Sequence, residues 1–260
     1  MQRRFLLLTV LLAACTTLGP TPVTTGVSAV PTGRPGVEVA AGIMPAFYLS
    51  DSAAQRDGAG GATAQTHVLI EPDRVLHTKG LVVGARRFGD GGDTAIEPMI
   101  GYRRRLNDNV SVLGLAYGGA AGASAAGASY SATRFGGELT IDAALPQISS
   151  WVALHGFASA SGTYLDASGT YCVDRDGDAI DCDDTSRRVD ATVEGVYFAG
   201  TGGLALDVAR RATGALHGVR LAMLGSVGVM PRLVDGVQQP SKEGFYSIGL
   251  ALQVGFGAPE

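Results

Sequence analysis

"FYSIGLALQVGF", Phe245 to Phe256, alternates strictly. Tyr246, Ile248, Leu250, Leu252, Val254 and Phe256 fall on one side of an extended chain. Phe245, Ser247, Gly249, Ala251, Gln253 and Gly255 fall on the other. Successive side chains of a strand point to opposite faces, so one face here is large and apolar while the other is mostly small or polar. A soluble sandwich strand has the same period. Composition separates the two. Apolar residues make up 46% of the chain and charged residues only 17%. Yet beyond the N-terminal segment no apolar run reaches the roughly 20 residues of a spanning helix. An apolar chain without such a helix fits a barrel that crosses a membrane with strands, because closure pairs every backbone group.

The pattern repeats. "TAIEPMIGYRRRL" sets Ile96, Ile100 and Tyr102 against Glu97, Gly101, Arg103 and Arg105, and "NDN" then turns the chain. "VSVLGLAYGG" places Leu113, Leu115 and Tyr117 together, read as an outer face. "RFGGELTIDAAL" opposes Leu139 and Ile141 to Glu138, Thr140 and Asp142, and "GVRLAMLGSVGV" opposes Val219, Leu221 and Met223 to Arg220. The phenylalanine that ends the last strand resembles the C-terminal strand signature of bacterial outer-membrane barrels, although "GAPE" follows it here. The resemblance implies short turns toward the periplasm and long loops outside. Eight strands lie between Leu81 and Phe256, and the stretches at 37–49 and 64–72 add two. The expected fold is an all-β, antiparallel up-and-down barrel of 8–10 strands, with ten favoured. The run 188–210 is either one long strand or one broken at Gly200–Gly203.

On this assignment Arg86, Glu97, Arg103, Arg105, Glu138, Asp142, Glu194, Asp207 and Arg220 point into the lumen. In so narrow a barrel side chains fill the interior, so paired charges forming a plug are expected ahead of a narrow solute path. Tyr48, Tyr117, Tyr130, Tyr246 and Phe256 are expected in the interfacial girdles, with Trp151. No catalytic motif accompanies the four scattered histidines. His155 is the one candidate for a barrel-embedded hydrolase, and no serine stands in a nucleophile motif beside it. Lys79 and Lys242 are the only lysines, and there is no basic patch for nucleic acid.

The chain opens "MQRRFLLLTVLLAACTT". Two arginines precede a short apolar run of eight residues, Phe5 to Leu12, broken only by Thr9, which is the layout of an export signal. Leu12-Ala13-Ala14-Cys15 resembles the lipobox of bacterial lipoproteins. That resemblance implies cleavage before Cys15, lipidation of Cys15 and, with Thr16 next rather than Asp, the outer membrane. Residues 16–35 are rich in Thr, Pro and Gly and read as a tether. The expected organisation is a signal at 1–14, lipidated Cys15 with its tether at 15–35, and a barrel at 36–257.

Lipidation uses one of three cysteines. Cys172 and Cys182 remain, and in an oxidising compartment they read as one disulfide. They bracket the acidic loop "YCVDRDGDAIDCDD". Asp174, Asp176, Asp178 and Asp181 are the candidate calcium ligands, since oxygens on alternate residues converge on a hard cation. Ala179 and Thr185 stand where a helix–loop–helix calcium site needs Gly and Glu, so a solvated, stapled loop is the default. The whole reads as a lipid-anchored outer-membrane barrel that is not an enzyme. Its partners are outer-membrane lipid and a candidate cation, and its role is structural, surface interaction or limited permeation. The alternatives are a soluble lipid-anchored binding module and the barrel-embedded hydrolase.

Overall fold

The computed structural model describes residues 36–48, 62–72, 78–89, 93–107, 109–125, 128–145, 152–173, 179–180, 187–208, 216–231 and 242–256. No helix occurs among them. The strands are β1 (Val37–Tyr48), β2 (Ala62–Ile70), β3 (Leu81–Gly89), β4 (Asp93–Arg105), β5 (Val110–Ala125), β6 (Ala128–Ala144), β7 (Val152–Val173), β8 (Ala179–Ile180), β9 (Arg187–Val208), β10 (Leu216–Pro231) and β11 (Lys242–Phe256). Ten of them close a ring. Chain neighbours pair antiparallel, β1 pairs with β11, and β7 pairs with β9. The two-residue β8 only extends β7 opposite Cys172 and Val173. Within the run 188–210, the described part is the single strand Arg187–Val208, because Gly200–Gly203 stay paired to both β7 and β10.

The polarity is that of a water-soluble protein turned inside out. Ile43, Ile96, Leu139, Met223, Val227, Ile248 and Leu250 are all more than half exposed on the outside. Arg86, Glu97, Arg134 and Glu138 are buried inside. The last strand alternates as its sequence implies, with Leu250 59% exposed and Ala251 8%. Tyr246 and Phe256 lie on the outer face. On β6 and β7 Phe135 and Tyr164 stack at 4.7 Å, and Phe198 is exposed on the neighbouring β9.

Three expectations are corrected. Leu113, Leu115 and Tyr117 face inward and are buried. Cross-strand partners share a face, and Leu113 pairs with inward Arg103 and Thr140 while Leu115 pairs with Glu138. That leaves Val110, Val112, Gly114 and Ala116 on the outside, and it removes Tyr117 from the girdle. Glu194 points outward and is exposed. It shares the face of Val196 and Phe198 but stands beyond the apolar belt, where the outside is polar. Arg105 is exposed at the mouth, its Nε donating to the Asn107 carbonyl at 3.2 Å. Of the other girdle candidates, nothing is described of the Tyr48 and Tyr130 side chains, and Trp151 lies outside the described residues.

The wall is uneven in height. β2 and β3 have nine residues each, and β7 and β9 have 22. Spanning takes about 9–11 residues, so β7 and β9 run about twice that far and rise beyond the belt. Their outer faces change there to Tyr164, Asp166, Ser168 and Thr170, and to Glu194, Thr192 and Asp190. Projection on the far side is therefore carried by these two strands. The links at 90–92 and 126–127 on that side are short, against the expected alternation of loop lengths.

One glycine near the opposite mouth has a backbone reason. Gly80 has φ of 84° in the turn before β3, and its carbonyl accepts the Arg103 N–H at 2.7 Å. A β-carbon there meets the Arg103 carbonyl oxygen and adds the left-handed penalty of about 1–2 kcal/mol. Gly80→Val is expected to lower the unfolding temperature of the detergent-folded barrel, read as loss of the compact band on unboiled gels. An unchanged transition contradicts the turn geometry.

Candidate functional site: the ionic interior

The lumen is filled by three ionic clusters. The central one is built by β3, β4, β5 and β6. Arg86 Nε donates to Glu97 Oε2 at 2.6 Å, and its Nη1 donates to Glu138 Oε2 at 3.1 Å. Its guanidinium lies 4.0 Å from the ring centre of Tyr117, a cation–π contact. Arg134 Nε stands 3.3 Å from Glu97 Oε1. Thr140 donates to Glu138 at 3.2 Å, and the Tyr117 hydroxyl bonds Thr163 at 2.7 Å. Each charge meets an opposite charge, which is the condition for keeping charges out of water.

Two clusters sit nearer the mouth where β1 begins and β11 ends. In one, Arg103 joins Glu38 at 3.1 Å and also Glu71, while His67 Nε2 lies 3.3 Å from Glu38. In the other, His155 stands between two carboxylates. Its Nδ1 is 2.9 Å from Asp142 and its Nε2 is 3.0 Å from Asp207. Arg220 clamps Asp207 with Nε and with Nη2, the latter at 2.7 Å, and Nη1 lies 3.5 Å from Asp142. An acceptor at each ring nitrogen of His155 calls for a proton on each. Neither nitrogen is then left to take a proton from a serine, which is what a hydrolase would need of it.

Apolar groups seal the space around these clusters. Phe157, Ala205, Ala222, Leu224 and Ala251 form one set, and Leu69, Val82, Met99, Leu113, Leu115 and Tyr117 another. Ala95, Ala121, Ala132, Leu165, Ala167 and Tyr197 form a third. A row of hydroxyls crosses the inner face between these clusters. Ser247, Ser226, Thr201, Ser159 and Thr140 occupy one continuous register across β11, β10, β9, β7 and β6. Thr201 and Ser226 bond each other at 2.6 Å.

Of the nine expected lumen charges, Arg86, Glu97, Arg103, Glu138, Asp142 and Arg220 are buried, and Asp207 is half-buried. Gln253 is buried on the polar face where its alternation places it, and Glu38, Gln65, His67 and Arg134, which were not anticipated, are buried as well. Each is a lone polar residue between outward neighbours, as Arg134 is between Thr133 and Phe135, and that alternation was the available signal. Cys172 is buried at the end of β7 opposite Ile180. Cys182 and the calcium candidates Asp174, Asp176, Asp178 and Asp181 lie outside the described residues, as does Cys15.

No family model and no curated protein matches the chain. Among solved structures, the outer-membrane protease OmpT of Escherichia coli aligns at 11% identity and TM-score 0.41, over 89% of this chain and 98% of that one. The KdgM porin, solved with disordered oligogalacturonate, aligns at 8% and 0.31, over 82% and 97%. Ail, the attachment invasion locus protein of Yersinia pestis, aligns at 9% and 0.29, over 84% and 96%. A protease, a porin and an attachment protein stand side by side at these low values. The body resembles small outer-membrane barrels, and the barrel itself rests on its own strand pairing.

Proposed function

We propose that this chain is a lipid-anchored barrel of the bacterial outer membrane with a plugged lumen and a non-enzymatic role, structural and in surface interaction. The observation that carries the reading is the reversed polarity, with Leu250 and Ile248 exposed outside and Glu97 and Arg134 buried inside. Hydrocarbon is the solvent in which such an exterior is stable. The paired charges and apolar sets inside favour a plug over a pore. The height of β7 and β9 favours surface interaction, since they carry polar residues well clear of the belt. Cys15 supplies the lipid in this reading, and a Cys172–Cys182 disulfide staples the loop between β7 and β9.

The test is a Cys15→Ala chain exported with a signal that is cut without lipidation. It is expected to stay in the outer-membrane fraction and to shift mobility on boiling. In planar bilayers it is expected to give no conductance steps. A soluble periplasmic product with no shift would overturn the membrane barrel and leave the lipid-anchored binding module. Steady conductance would overturn the plug alone.

A further inference from the structure

β10 parts from β9 before either strand ends. The last pair between them is Gly228 with Ala199, while Val229, Met230 and Pro231 go on pairing with β11. Residues 187–198 of β9 keep β7 on one side and have no strand on the other among the described residues. Their register with β7 runs without a bulge, and they hold no proline. Closure of a ring hides strand edges, and among these residues the ring is open above Ala199. Alternate N–H and C=O groups of β9 therefore point to where the next strand would stand. Glu194 and the residues above it lie beyond the apolar belt, so this edge is reached from water.

A row of main-chain donors and acceptors is completed by another extended polypeptide. The outer face of the edge selects its side chains. Asp190, Thr192 and Glu194 alternate along it, and Asp166 on β7 stands in register with Glu194. Like charges directly opposite disfavour each other. The Tyr164 hydroxyl donates to Glu194 at 2.6 Å and the Thr170 hydroxyl to Asp190 at 2.8 Å, and both are neutral. Among the described residues no cation pairs with Asp166, Asp190 or Glu194. Arg188 shares this face only at its top, beyond Asp190. The alternate positions 189, 191, 193 and 195 are Val, Ala, Val and Gly.

We propose that the open edge of β9 binds an extended segment of a partner polypeptide, added antiparallel as a further strand over 189–195. The segment carries Lys or Arg opposite Asp190 and Glu194, on the side where three carboxylates lack a cation, and apolar residues at the positions between. The site rests on the surface role proposed above and names the chemistry of the partner. It uses neither the lipid anchor nor the plug.

The experiment is titration of the full chain, folded in a non-ionic detergent, with acetyl-Val-Lys-Val-Lys-Val-Lys-Val-amide, read by calorimetry and by amide hydrogen exchange. Saturable binding is expected. Alternate amides of 189–195 are expected to exchange freely in the chain alone and to be protected in the complex. The same peptide with glutamate in place of lysine is expected not to bind. Methylating the peptide's backbone nitrogens at every second residue removes the donors along one of its edges, and of the two possible series the one facing β9 is expected to lose binding. Asp190→Lys combined with Glu194→Lys is expected to weaken binding about ten-fold. The mobility shift on boiling certifies each sample. Its absence in the unaltered chain overturns the membrane barrel and this edge with it, whereas a kept shift without binding overturns the edge alone. Should the double variant lose the shift, the methylated peptides decide. Equal binding of the glutamate peptide, unchanged binding of both methylated series, wild-type affinity in the folded double variant, or protection of these amides in the chain alone, by its own residues or by a second copy, each overturns the site.

Discussion

Arg86→Ala is expected to destabilise the folded barrel by about 3–5 kcal/mol, the usual cost of removing one partner from a buried ion cluster. Arg86 bonds both Glu97 and Glu138, which are 0% and 5% exposed. Without it the two carboxylates are left in one dry space. Glu97 retains Arg134 at 3.3 Å, and Glu138 retains the Thr140 hydroxyl at 3.2 Å. Tyr117 also loses the cation over its ring. The measurement is urea unfolding in lipid vesicles, followed by the fraction of protein in the compact band. Arg86→Met combined with Glu97→Gln and Glu138→Gln is expected to recover most of the loss, because removing all charges together leaves none uncompensated. A loss below about 1 kcal/mol for Arg86→Ala, within the range of exposed ion pairs, would show that water reaches this cluster and that the lumen is not plugged.

Leu250→Arg tests the opposite face. Leu250 is 59% exposed and flanked in register by Ile43 and Met223, both outward. At the middle of a bilayer an arginine on the lipid face costs about 2–4 kcal/mol, and near an interface about 0–1 kcal/mol. In a soluble module the same change at an exposed leucine would be close to neutral. The two readings therefore predict different magnitudes for one substitution. Unfolding of Leu250→Arg in vesicles is expected to show the larger loss. Arginine in place of Phe256, at the end of the strand, is expected to cost much less charge burial. Equal and small effects at both positions would mean that no hydrocarbon surrounds this face.

β11 was legible because its two faces differ in kind, with leucine and isoleucine opposing serine, alanine and glutamine. β4 and β6 were legible for the same reason, with Ile100 beside Arg103 and Leu139 beside Glu138. β5 was not. "VSVLGLAYGG" is apolar or small on both faces, so a period of two separates the faces without saying which one meets the lumen. The answer came from its neighbours, since Leu113 must share a face with Arg103 and Thr140. Glu194 was misplaced because its charge was taken to mean an interior position, whereas height along the strand decides whether the outside is lipid or water.

The sequence by itself therefore pointed to a strand-built barrel, favoured ten strands over eight, and placed most of its inward charges, because those depend on local alternation. Only the tertiary structure decided which charge meets which. The partners of Arg86 lie 11 and 52 residues away, and Arg103 reaches Glu38 across 65. Such pairs form where ring closure and register bring distant strands to one level, and no local pattern encodes that. A cavity at Gln253 has the same origin: its lining comes from β1, β2, β4, β9, β10 and β11 and from Glu71 just beyond β2, which meet only when the first strand pairs with the last.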